Sequence, residues 1–338
     1  MPAKPTVSII DLDYLIYSAS SIAEKITYTY SDKKGNEVAS FGSASEGKAW
    51  IDTIKAFGGI DPDYGYEGDV EDLIRSTSYK PVGLGKAQKN FDRMLKEWLL
   101  EAGTNEWRGY CSALKGMKLF RHDIATIQPY KGNRKGVHKP HYLDDIRRYA
   151  LSYNNVKRVG GGIECDDKVC SVAQAIGEKA VLQACDKDIL TCVGTWLKLP
   201  DEEMVWSDPN IVGKVWIEKK GTVTKVRGFG LLYLLSMCIT GDQADSYGGC
   251  PKAGPVVAVD VLSPFNGMPR NMLHKAVEAT CELFKQKVGD SYTYTHCHIG
   301  EPVTVTWKEV LVENLLLAYM VKHKGDAPTE ILQHIERI

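Results

Sequence analysis

Four short acidic clusters stand out in this chain of 338 residues: Asp11-Leu12-Asp13, Glu164-Cys165-Asp166-Asp167, Asp186-Lys187-Asp188 and Gly241-Asp242-Gln243-Ala244-Asp245. Carboxylates gathered in one place repel one another, so such a cluster is tolerable only with bridging cations or raised pKa values. An all-oxygen ligand set suits Mg²⁺ or Mn²⁺ rather than zinc. Two such ions about 4 Å apart can activate a water and stabilise a leaving oxygen in phosphoryl transfer. Any one of these pairs alone is as readily a solvated surface or a helix cap. Four together, two of them at the ends of expected strands, point to a metal site.

A basic segment complements the acids. Residues 130–139 read Tyr130-Lys131-Gly132-Asn133-Arg134-Lys135-Gly136-Val137-His138-Lys139, and Arg147, Arg148, Lys157 and Arg158 follow. Cations with an aromatic among them suit a phosphate backbone and an unstacked base. A segment like this on its own is more often a solvated face. The net charge of −1 decides nothing. The separation of anions to hold metals from cations to hold phosphates is the informative feature.

The elements that must position these groups alternate between strand and helix. The run TVSII (6–10) predicts a buried strand delivering Asp11 at its carboxyl end, and VLQACD (181–186) does the same for Asp186. A further strand is expected near 107–113. Helices are expected over 14–25, 86–102, 142–153, 166–177, 229–240, 255–263, 271–288 and, last in the chain, 308–323. In 86–102, Phe91, Met94, Leu95, Trp98 and Leu99 share one face and Gly103 stops the helix. Residues 203–227 predict hairpins, while 295–300 and 303–307 are too short to assign. Residues 28–75 show little periodicity and read as an insertion, with a hairpin about Lys33-Lys34-Gly35-Asn36. The alternation implies an α/β fold with a mostly parallel sheet flanked by helices, whose site lies beyond the carboxyl ends of the strands. The composition, 43% hydrophobic and 25% charged, is enough to bury a core. No apolar run is long enough for a membrane span, and no secretory leader is expected. Nine scattered cysteines without paired spacing suggest a reduced, cytoplasmic setting.

The strings YKGNR (130–134), GIECDD (162–167), ACDKD (184–188) and GDQADSYGGCPKAG (241–254), in this order, resemble the 5′-nuclease superfamily of flap endonucleases, polymerase-associated 5′-nucleases and phage 5′→3′ exonucleases. The run YKGNRKGVHKP looks nearest to exonucleases of short-tailed phages. The resemblance implies a PIN-like nuclease domain over 1–228 with the insertion at 28–75. It also implies a helical DNA-binding region over 229–338 containing a helix–three-turn–helix element. It implies that Asp11, Glu164, Asp166, Asp167, Asp186, Asp188, Asp242 and Asp245 hold two Mg²⁺ or Mn²⁺ ions, with Asp13 as a supporting group or a cap. Lys131 and Arg134 would steady the scissile phosphate and Tyr130 would stack on a base. Lys135, Gly249, Lys252 and Gly254 would meet the DNA backbone. The implied substrate is double-stranded DNA with 5′ ends, nicks or flaps, RNA-primer removal included, in the host cytoplasm if the chain is phage-encoded.

One departure matters. Many members carry a metal-site Asp after the strand preceding the basic segment. Here Tyr110-Cys111-Ser112-Ala113-Leu114-Lys115-Gly116 has no acid, and Ser112 stands nearest that place. A PIN-type ribonuclease and a DNA-binding protein without catalysis are the alternative readings.

Overall fold

A computed structural model describes residues 2–61, 63–113 and 117–338; Leu114, Lys115 and Gly116 of the acid-free stretch lie outside the described residues. The chain divides into two compact units. One comprises Met1–Tyr14, Leu95–His138 and Ala150–Ile338, and the other Leu15–Met94 and Lys139–Tyr149. No helix among the described residues is long and apolar enough to cross a membrane.

The first unit is built on a six-stranded sheet: β1 (Val7–Asp11), β2 (Glu106–Cys111), β3 (Val156–Arg158), β4 (Ala180–Gln183), β5 (Thr195–Lys198) and β6 (Val205–Ser207). The order is β6-β5-β4-β1-β2-β3. All pairings are parallel except that of β6, which runs antiparallel at the edge. Each residue of β1 is buried, as befits a central parallel strand covered on both faces. The register sets Asp11 beside Tyr110 of β2 and Ile10 beside Gln183 of β4. Gly109 in β2 leaves room for a neighbour: a Cβ there would come 2.6 Å from the Leu12 side chain. Strand β4 stops at Gln183, so Asp186 sits three residues into the following turn rather than at the strand end.

Helices Leu231–Thr240, Pro255–Leu262, Leu273–Val288 and Trp307–Ala318 occupy the expected segments, and Thr329–Arg337 forms a further helix after them. The expected hairpin region divides. Val205–Ser207 joins the main sheet, and Lys214–Lys220 pairs with Val223–Phe229 as a separate ribbon. The two unassigned short segments make one hairpin, Tyr292–Thr295 with Pro302–Val305. The hydrophobic core runs unbroken from Ile9 in β1 through Leu232 to Ile335, so the sheet and the carboxyl-terminal helices share one interior.

A disulfide joins Cys170 to Cys192, 22 residues apart. This corrects the expectation that all the cysteines are reduced. The pair was hidden because the two residues meet only when helix Cys165–Ile176 packs beside the end of the turn Lys187–Thr191.

The second unit holds a three-stranded antiparallel sheet in the order Glu37–Phe41, Glu24–Ser31, Ile74–Pro81. Tyr30, Ala39, Trp50 and Ile54 form its small core. The hairpin about Gly35 is present. The Asp32 carboxylate accepts the N–H groups of Lys34 and Asn36, each at 2.8 Å, and Gly35 takes φ +85. Helix Ala44–Ala56 lies within the segment read as aperiodic, started by a capping box of Ser43 and Glu46. A local cap, not an apolar stripe, marks it.

Candidate metal centre

The acids reach their positions by local backbone rules. Asp11 ends β1, and its carboxylate accepts the Asp13 N–H at 2.8 Å. Asp13 opens helix Asp13–Ile22. Glu164 caps helix Cys165–Ile176 in a reciprocal box: the Asp167 carboxylate accepts the Glu164 N–H at 2.9 Å. Asp186 caps the turn Lys187–Thr191, taking the Asp188 N–H at 3.1 Å. Asp242 takes the Ala244 N–H at 2.6 Å. Gly241 before it has φ +66, and a Cβ there would come 2.4 Å from the Tyr247 carbonyl, so only glycine closes this loop.

These elements bring Asp11, Asp13, Glu164, Asp166, Asp186, Asp242 and Asp245 into one cavity of about 530 Å³, with Ser112, Lys131, Arg134 and Lys187 in its wall. The cations are already engaged. Lys131 pairs with Glu164 and lies 3.6 Å from Asp245. Arg134 donates to Asp245 at 2.8 Å. Lys187 bridges Asp242 and Asp188, the latter at 3.1 Å. Among the described residues Asp11, Asp13, Asp166 and Asp186 have no ion-pair partner.

Two of these acids, Asp11 and Asp166, bear the electrostatic signature of a cation site. Burial, then Asp13, pushes the Asp11 carboxyl up to about 6. Burial, then Asp11 and Asp186, holds Asp166 well above the ordinary carboxylate range. One buried Asp166 oxygen, Oδ1, has no hydrogen-bond partner among the described residues. A divalent ion would supply that partner and remove the repulsion, so these residues fit Mg²⁺ or Mn²⁺. Ligand atoms of Asp11, Asp13 and Cys165 lie within 4.8 Å of one another. Burial and then Asp11 push the Cys165 thiol well up, which keeps it protonated and unsuited to bind a hard cation.

Ser112 stands at the acid-free end of β2. It directly follows β2, the neighbour of β1. Its N–H donates to Asp13 Oδ1 at 3.0 Å and its hydroxyl to the other Asp13 oxygen. Asp13 thus holds a carboxylate against the end of β2, where the sequence lacks one.

Four of the expected residues lie apart from the cavity wall. Asp167 is fully buried and outside the cavity lining. Both its oxygens are taken by Arg121, at 2.8 and 2.7 Å, and it also accepts the Glu164 and Val321 N–H groups. Asp188 is likewise buried and outside the lining; burial, then Asp186, pushes it up to about 8. Tyr130 is only 3% exposed. Its hydroxyl lies 2.5 Å from Glu164 and 2.6 Å from Asp245, so it ties two acids together and presents no face to a base. The Gly249 N–H donates to Asn314 at 2.9 Å and is not free for a phosphate. Its missing side chain serves close packing, since a Cβ would come 2.3 Å from Gly241 N. Lys135, Lys252 and Gly254 are exposed and do not line the cavity.

Arg121 was missed altogether. It is 1% exposed and holds Asp167, Glu164 (3.0 Å) and the carbonyls of Leu317 (3.0 Å) and Tyr319 (2.7 Å). Nothing local in its surroundings announces these partners, which come from segments 43 to 198 residues away. Lys131 adopts the left-handed conformation, φ 55. A non-glycine residue held there is typical of a functional position, and its N–H is fixed by the Asp245 carbonyl at 2.9 Å.

Fold and cavity together define an α/β protein with a carboxylate-lined site beyond the carboxyl ends of a parallel sheet. No family model matches the chain. Among solved structures it is similar to a bacteriophage T5 protein co-crystallised with metal ions, with 11% identity over 98% of this chain and 97% of that one and a TM-score of 0.48. It is also similar to a bacteriophage T5 flap endonuclease in a pseudo-enzyme–product complex with DNA and metal ions, with 12% identity over 74% of this chain and 90% of that one and a TM-score of 0.44. A mutant T5 5′-exonuclease matches at 12% identity over the same shares, with a TM-score of 0.42. Likeness at this level leaves the function to be read from the site.

Proposed function

We propose that this chain is a divalent-cation-dependent nuclease that hydrolyses phosphodiester bonds of duplex DNA at or near 5′ ends, with Mg²⁺ or Mn²⁺. One observation carries the reading. Acids from four distant segments share a single cavity with Lys131 and Arg134, and four of those acids have no ion-pair partner among the described residues. Asp11, Asp13, Asp166 and Asp186 would hold the ion. When bound it supplies positive charge against the developing charge of phosphoryl transfer and makes water more acidic. Lys131 and Arg134 would donate to the non-bridging oxygens of the scissile phosphate. Glu164, Asp245 and Tyr130 hold those cations in place, and Arg121 and Asp167 hold Glu164. Asp242, with Asp245 beside it in the cavity wall, would hold a second ion. The Asp13–Ser112 contact argues against an inactive binding protein, because it restores the acid that the motif lacks.

The test is incubation with end-labelled nicked, flapped and blunt duplexes and with matched RNA strands, with Mg²⁺, Mn²⁺ or chelator. Chelator-sensitive release of short 5′-labelled products from DNA is expected. Cleavage of RNA alone would favour a ribonuclease, and no chelator-sensitive cutting of any substrate would overturn the reading.

A further inference from the structure

Among the described residues, none of the second unit lines the carboxylate cavity, yet this unit carries a surface of its own. Its three-stranded sheet has one covered face and one open face. Helix Ala44–Ala56 covers the side that bears Tyr30, where Trp50 and Ile54 pack. Strand alternation sends Lys25, Thr27 and Thr29 to the other side. The register sets Lys80, Ser78 and Ser76 opposite them, with Ser40 beyond Thr29. Lys25, Ser40, Ser76, Ser78 and Lys80 are exposed. We propose that this open face binds the phosphate backbone of duplex DNA, a contact separate from the carboxylate cavity and independent of the nuclease reading.

The face asks for an anion. Lys25 and Lys80 stand directly opposite each other, and like charges so placed are destabilising. Neither has an ion-pair partner among the described residues, so nothing in the unit relieves the repulsion. A phosphate between them would. The next two rows along the strands, Thr27 with Ser78 and Thr29 with Ser76 and Ser40, present hydroxyls at intervals of roughly 7 Å. Phosphate oxygens take hydrogen bonds from Lys, Ser and Thr, and such contacts read no sequence. None of these side chains is aromatic, so the face lacks the stacking platform that single strands use. It also lacks the aromatic and Arg anchors on which protein interfaces depend. A duplex presents its phosphates outward with the bases paired inside, which is what these rows can meet. The contact ends at Glu37, opposite Ser31.

The experiment is binding of a fluorescein-labelled blunt duplex, followed by anisotropy over a range of salt, with chelator present so that nothing is cut. Each lost phosphate contact takes about 0.9 from the slope of log affinity against log salt. Lys25→Gln/Lys80→Gln should therefore lower the slope by about 1.8 and weaken binding several-fold at low salt. Its unfolding midpoint should not fall, because the change removes a repulsion. Lys48→Gln/Lys55→Gln makes the same change of charge at exposed positions of the covering helix and should keep the parent slope. Equal loss in both doubles, no loss in either, or a larger loss on a single strand of the same sequence overturns the proposal. A loss with labelled polyglutamate but not with duplex assigns the face to an acidic protein and overturns it too. So does a parent that binds no duplex. Cleavage on adding Mg²⁺ is read separately and reports on the carboxylate cavity alone.

Discussion

Replacing Arg121 with Met should be among the most damaging single changes outside the cavity wall, and the structure sets its size. All five guanidinium N–H groups are used: two on Asp167, one on Glu164 and two on backbone carbonyls. Met preserves much of the apolar stem but leaves Asp167, 0% exposed, as a buried charge with only the Glu164 and Val321 N–H groups for company. Removing one partner of a buried pair costs about 3–5 kcal/mol. Two stranded carbonyls, at about 1 kcal/mol or more each, push the value toward the upper end. The penalty comes from the charge left behind rather than from the worth of the pair, so the double variant Arg121→Met/Asp167→Leu should recover at least about half of the loss. Urea unfolding followed by circular dichroism and tryptophan fluorescence, with chelator present throughout, measures both. A single variant within about 1 kcal/mol of the parent, or a double variant no more stable than the single, would refute the reasoning.

Three further outcomes follow from the geometry. Asp186→Asn should retain duplex binding, measured by anisotropy, while losing at least about a hundredfold in cleavage; near-normal turnover would remove Asp186 from the site. Without metal, Asp11 has a folded pKa near 6 against 3.8 for the free side chain. The folded state therefore binds the extra proton between those values, and stability falls as pH rises through that window. Asp11→Asn should thus be more stable than the parent at pH 7 by up to about 3 kcal/mol, with no advantage near pH 4. Saturating Mn²⁺ should narrow the gap by binding the parent more tightly. Cys170→Ser should lower the unfolding free energy by about 3 kcal/mol, the value for a loop of this length, and adding dithiothreitol to the parent should reproduce the loss.

The sequence made the acids legible because each sits where a backbone rule puts it. Asp11 closes a β-branched run, Glu164 and Asp167 form a cap, and Asp242 opens a turn that only Gly241 can precede. The same local rules could not say which way each acid points. Asp166 and Asp167 are neighbours on a helix, about 100° apart around its axis. That rotation sends one to the cavity and the other to the core. Tyr130 reads as a stacking aromatic in a basic run, yet two carboxylates draw its hydroxyl inward. Arg121 and the Cys170–Cys192 bridge depend on contacts between distant segments and leave no periodic trace. In the second unit, strand Ile74–Pro81 is exposed along most of its length, so no apolar alternation marks it, whereas the Gly35 turn is marked by its own residue types.

The contact between Asp13 and Ser112 has a consequence for recognising distant kin. Parallel neighbours end at the same edge, so an anionic group can be supplied there by either of two chain segments about a hundred positions apart. A search that demands an acid in one fixed column would pass over a chain whose acid lies just beyond the neighbouring strand. An Asp two residues past one strand, held by a Ser just past its neighbour, is the mark to look for.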